Sequence, residues 1–186
     1  IALSTNLGDV TSHAFQIVFA THNVTFGFAL GFGSAAGVRA GNAVGEGAPE
    51  AARRRTLIAA GLAFGVMAIQ MALLLAFGGV LAQAFPARAE VHLLAAAMLA
   101  VWAPFILFDG LQVVFMFALR SIGDQVAAGV NGIVAFFLVT GGLGWYLVQQ
   151  GHGPYALVWG SGAGMLVAAL LHGGRFLCVM RPGTTS

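Results

Sequence analysis

From Leu57 to Phe85 the chain runs 29 residues without one ionisable side chain. About 20 consecutive apolar residues carry a helix across the hydrocarbon core of a bilayer, so a run of this length is long enough to span it. Five segments qualify, at roughly 14–37, 57–85, 91–119, 126–149 and 154–177. The separators GNAVGEGAPEAARRR (41–55), PARAE (86–90), RSIGDQ (120–125) and QQGHG (149–153) are short and hold most of the charge, nine of the fourteen charged residues. Composition argues the same way. Charged residues make up 8% of the chain and mean hydropathy is +0.91, whereas a soluble domain carries about 25% charged residues to keep its surface wet. Barrel strands are excluded, because the runs are too long and lack period-two alternation. The expectation is an all-α membrane protein: one domain over 1–186, with five transmembrane helices. Residues 1–12, IALSTNLGDVTS, read as the tail of an earlier helix followed by a turn. The chain opens on Ile1, without a charged n-region or cleavage site, and reads as starting inside a longer protein.

The cations sort by side. If all five segments cross, Arg39, Arg53, Arg54, Arg55, Arg120, Arg175 and Arg181 share one face of the membrane and Arg88 alone lies on the other. Basic loops stay cytoplasmic, which predicts a cytoplasmic C-terminus in a multi-pass protein of the inner (plasma) membrane. The arginines are dispersed and there is no lysine, so no basic stripe offers itself to nucleic acid. A single Cys178 excludes an internal disulfide or a cysteine metal cluster.

Glycine recurs at spacing four: Gly33, Gly37, Gly41 and Gly45, then Gly61 with Gly65 and Gly160 with Gly164. Small residues at that interval let membrane helices approach closely. Only the first ladder is long enough to predict a specific helix contact.

Asp109 is the most informative residue. It lies 19 residues after Glu90 and 11 before Arg120, roughly 28 Å and 16 Å along a helix and so deep in the membrane. A carboxylate there costs a few kcal/mol and is kept near water, a partner or an exchangeable cation. The alternative is a protonated Asp bonded within the bundle. Pro104 removes a backbone donor and frees the carbonyl of Ala100, which predicts a bend just before the acid. Gly110 opens space beside it, and Gln112 shares its face. A broken helix with a buried acid near the midplane is a recurrent transporter arrangement.

The first segment carries a polar stripe of His13, Gln16 and Asn23, with Thr21 and His22 adjacent. Gln16 and Asn23 fall on one side of the helix. Such side chains either line a cavity or bond across helices, and His22 titrates near neutral pH when unperturbed. Other signals fail on their mechanics. The GxGxxA run at 31–36 has no preceding strand. Gly41–Gly47 has no lysine where a phosphate loop needs one. Ser161 with His172 lacks the glycine two residues before the serine that an intramembrane protease motif requires, since Trp159 stands there. The five histidines show no paired metal-ligand spacing, and no enzyme is expected.

Three stretches carry a resemblance. AGVRAGNAVGEGAPEAARR (36–54) resembles the end of the eighth helix and following loop of the multidrug and toxic compound extrusion (MATE) family. FDGLQVVFMFALRSIGD (108–124) resembles that family's tenth helix, and LGDVTSHAFQI (7–17) its junction of seventh and eighth helices. The likeness covers essentially the whole chain in order. It implies twelve helices in two lobes of six, of which this chain supplies helices 8–12 and the end of the seventh, so that its partners are a missing N-terminal lobe, the lipid bilayer and a drug-like small molecule. It further implies secondary antiport, with Asp109 as the C-lobe acid that binds H+ or Na+ and no other cofactor. Arg120, Gly123 and Asp124 fall in a structural turn. Ser121 departs from the family's usual Gly, and Gly142 from a common Pro. Phe105 stands where some sodium-linked members have Tyr, which favours H+. Gln112, Gln16, Asn23 and His22 are the candidate cavity residues. A lipid-linked oligosaccharide flippase of related fold, and a non-transporting scaffold, are the competing functions.

Overall fold

The computed structural model describes Ser4 and residues 7–181. The remainder of the expected helix tail, at 1–3 and 5–6, and the tail from 182 lie outside the described residues. Five apolar helices long enough to cross a membrane follow one another: Asp9–Gly45, Pro49–Gln83, Ala89–Ser121, Gln125–Gln149 and Tyr155–Val179. There is no strand among the described residues. The observed helices overrun the apolar segments read from sequence by a few residues at most ends, because helical hydrogen bonding continues past the hydrocarbon.

Two of the five are interrupted. The third consists of α3 (Ala89–Trp102), a 3-10 turn over Ala103–Phe105 and α4 (Ile106–Ser121). Pro104 sits in that turn, where its missing N–H breaks the α-helical pattern. The fourth starts as α5 (Gln125–Gly132), widens into a π-helix over Ile133–Leu143 and closes as α6 (Gly144–Gln149). With α1 (Asp9–Gly45), α2 (Pro49–Gln83) and α7 (Tyr155–Val179) the set is complete.

The turns are built by local chemistry. Gly123, at φ 92, ends α4, and the Asp124 N–H reaches back to the Leu119 carbonyl at 2.9 Å, which is the Schellman closure of a helix. Asp124 then accepts two bonds from Arg175 of α7, Nε at 2.6 Å and Nη2 at 3.3 Å. The turn motif therefore ties the fourth crossing's start to the last helix.

α4 is the central element, packed against α1, α2 and α7. Its contact with α1 uses the first glycine ladder. A Cβ on Gly33 would meet Val113 Cγ1 at 2.7 Å, one on Gly37 would meet Ser121 Oγ at 2.8 Å, and Gly41 also faces Ser121. Gly61 and Gly65 face open space, whereas Gly160 and Gly164 pack against Gly144, Thr140 and Ala135 of the fourth crossing. The expectation that only the long ladder makes a specific contact is thus too narrow. A widened π-turn brings backbone close enough that two glycines suffice.

Behind these seams the core is small-residue rich at the arginine end, with Ala36, Ala40, Ala43, Ala52, Ala60 and Ala118 buried. It is larger at the other end, around Met98, Leu99, Trp102 and Ile106. Large apolar side chains such as Phe137, 76% exposed, point outward. Lipid, not water, is the medium that such a surface requires.

Candidate functional site

Asp109 is 3% exposed and lies one turn beyond the 3-10 break. Gln112, three residues on, turns its amide to the carboxylate, and Nε2 donates to Oδ1 at 3.1 Å. From α1, His22 brings Nδ1 to 3.9 Å from Oδ2. That is too long for a hydrogen bond and short enough for charge to be felt. Gln112 Oε1 and His22 Nδ1 are buried without a hydrogen-bond partner. The cluster therefore holds polar capacity that its own members leave unused.

The imidazole is held by rings. His22 stacks on Phe26 with centroids 5.5 Å apart, and Trp102 meets it edge-on at 5.2 Å. On its other side His22 lines a cavity of about 260 Å³ together with Phe15, Val18, Phe19, Trp102, Phe136, Thr140, Ser161 and Met165. His22 is the side chain common to the cavity and the acid. Gly110, next to Asp109, faces Met67 of α2, whose Cγ would lie 2.6 Å from a Cβ there. Only glycine lets α2 approach at that level.

The structure brings Asp109, Gln112 and His22 together and leaves two other sequence candidates apart. Gln16 is exposed and lines a different cavity, of about 440 Å³, with His13, Phe85, Pro86 and Arg88 near the N-terminal end of α1. Asn23 is exposed and makes no hydrogen bond to the cluster. The helix pattern placed both on one side of α1, but that side is not the one turned to α4. Phe105, one turn before the acid, packs its ring on Gly162 and against Trp159 at 5.9 Å.

Trp102, Thr140 and Ser161 were not among the sequence candidates for this site. Trp102 carried a signal, since it stands two helical turns before Asp109. Thr140 was one of few hydroxyls in a long apolar run. In the structure the hydroxyls of Thr140 and Ser161 donate to carbonyls of their own helices, Ala135 at 3.3 Å and Val158 at 3.0 Å. His172, fully buried on α7, is separate. Its Nε2 lies 3.1 Å from the Ala128 carbonyl, a bond between crossings.

Comparison with known proteins identifies the family. The MatE family model matches residues 1–145. The chain is 37% identical over 179 residues to a "probable multidrug resistance protein NorM" of Deinococcus radiodurans, covering 89% of this chain and 40% of that protein. It is 35% identical over 178 residues to a "multidrug resistance protein NorM" of Burkholderia vietnamiensis, covering 91% and 38%. The crystal structure of the eukaryotic MATE transporter AtDTX14 superposes with a TM-score of 0.85 at 20% identity, over 94% of this chain and 38% of that one. At that identity the match speaks for the fold alone. The chain thus spans about two fifths of the length of these relatives. Five long apolar helices and a family match over most of the chain lead to one conclusion: the chain belongs to the MatE family.

Proposed function

We propose that this chain is the C-terminal lobe of a secondary active exporter in the inner (plasma) membrane, working with an N-terminal lobe of the same protein. An inward proton gradient drives amphipathic or cationic organic compounds outward. The observation that carries the reading is the Asp109 carboxylate, buried at 3% exposure between Gln112 and His22 and one side chain removed from an aromatic cavity. A carboxylate kept there is suited to a cation that comes and goes. Taking up a proton removes its charge and relaxes its hold on α1, which biases the lobe between two packings. The names of the relatives, multidrug resistance proteins, support the substrate class.

The groups near Asp109 suit a proton better than Na+. Hard cations gather several oxygens. Here the neighbour across the helix interface is an imidazole, Gln112 Oε1 is the unpartnered side-chain oxygen at hand, and Phe105 offers none. The arginine distribution orients the lobe with the 46–48 loop and the end of α7 toward the cytoplasm.

Proteoliposomes holding the full-length transporter test the coupling ion. A pH gradient at symmetric sodium is expected to drive accumulation of a fluorescent organic cation, and a sodium gradient at symmetric pH is expected not to. Drive by sodium alone would replace the proton in this account. Drive by neither would remove antiport.

A further inference from the structure

The α1–α2 hairpin is longer than a bilayer needs. Its helices have 37 and 35 residues, each over roughly 50 Å, against about 30 Å of hydrocarbon. The ends joined near Glu46 therefore stand at headgroup level or beyond. Arg39 lies six residues before the end of α1 and Arg55 six residues after the start of α2. The two guanidinium groups thus sit at matching depth on facing helices.

Between them opens a groove of about 200 Å³, with Phe32, Ala35 and Arg39 on the α1 wall and Arg55, Ile58 and Leu62 on the α2 wall. Spacings of three and four or seven put each set on one face of its helix. Each wall is apolar toward the midplane and cationic toward the loop. Arg39 is exposed and forms no ion pair or side-chain hydrogen bond among the described residues. Arg55 Nη1 donates a long bond to the Arg39 carbonyl at 3.4 Å and lies 3.9 Å from Glu46 Oε2. That carboxylate is itself 62% exposed, so it neutralises the pair weakly.

We propose that this groove binds an anionic phospholipid of the leaflet on the 46–48 side, with its phosphate held between Arg39 and Arg55 and an acyl chain along Phe32, Ile58 and Leu62. Guanidinium forks match phosphate oxygens in pairs, and basic pockets between membrane helices take such headgroups. The groove is smaller than the roughly 300–1,000 Å³ of drug-sized ligand pockets. It has room for a headgroup and the first acyl carbons. The order of the walls, cationic outside and apolar inside, is the order of the lipid itself. The inference is independent of the coupling reading, because none of its residues belongs to the Asp109 cluster.

Native mass spectrometry of the full-length transporter from mixed phosphatidylcholine–phosphatidylglycerol micelles is the test. Phosphatidylglycerol is expected to remain bound in preference to phosphatidylcholine. The double variant Arg39→Gln/Arg55→Gln is expected to lose that preference by about thirtyfold, since each of the two headgroup-level cations contributes on the order of one kcal/mol. Arg54→Gln, exposed and outside the groove, is expected to keep it. Equal retention of the two lipids, or an unchanged double variant, would overturn the site. Displacement of the lipid by millimolar inorganic phosphate would reassign it to a soluble anion. A Phe32→Trp variant with both arginines intact guards against misfolding of the double variant. Its added fluorescence should be quenched more by brominated phosphatidylglycerol than by brominated phosphatidylcholine, and equal quenching would also overturn the proposal.

Discussion

At the scale of single residues the account turns on how a charge survives inside a bilayer. Asp109 was legible from the sequence because an isolated acid in a long apolar run is conspicuous, and so was Gln112, by helical spacing alone. His22 was legible only as one polar residue among several on α1. Which face of α1 meets α4 depends on packing between distant segments, and the glycine ladder at Gly33 and Gly37 decides it. That is why Gln16 and Asn23 looked equivalent to His22 and are not. Among the described residues Gln112 donates the one hydrogen bond Asp109 receives from a side chain, yet an amide carries no exchangeable charge. Gln112→Ala is therefore expected to keep proton-coupled transport while weakening substrate affinity several-fold, on the order of 1 kcal/mol. Transport assays over a range of substrate concentration separate the two effects. Complete uncoupling in this variant would give Gln112 a larger role than the geometry assigns.

At the scale of elements the five crossings follow from length and hydropathy, and the Pro104 break from the ring's missing donor. The π-helix at Ile133–Leu143 does not. A segment that is apolar on every side carries no periodicity from which its pitch is readable. The structure supplies the reason for the wider turn: Thr140 donates to the carbonyl five residues back, and Gly160 and Gly164 of α7 seat against the same segment. Thr140 also lines the cavity that His22 lines, so the seam borders that cavity. Gly164→Ala would drive a methyl into the Thr140 hydroxyl and to 2.9 Å from the Ala135 carbonyl. The expected cost is about 1–3 kcal/mol, seen as a lowered melting temperature in detergent. Gly61→Ala, where nothing lies within 4 Å, is expected to stay within about 0.5 kcal/mol. Equal stability of the two variants would show that the α7 seam is not tightly packed.

At the scale of the molecule the sequence carried the class and the number of crossings, because a bilayer translates length and hydropathy directly into helices, and the sidedness read from the arginines is a prediction. Single cysteines at Arg54 and Arg88, in a Cys178→Ala background, are expected to react with an impermeant thiol reagent from opposite sides of the membrane. Both positions lie near opposite ends of α2, and labelling from one side only would undo the five-span arrangement. What sequence could not carry is the meeting of α1 and α4 around one carboxylate, since His22 and Asp109 come from separate segments. The claim that this meeting point couples ion to substrate is tested most directly by Asp109→Asn in the full-length transporter. Asn keeps the shape and can still accept from Gln112, so the fold should persist, but it cannot release a proton. Drug-driven proton movement in proteoliposomes, compared at equal amounts of folded protein, is predicted to fall to the level of empty vesicles. Flux equal to the unmodified transporter would contradict the account and leave Asp109 a packing residue.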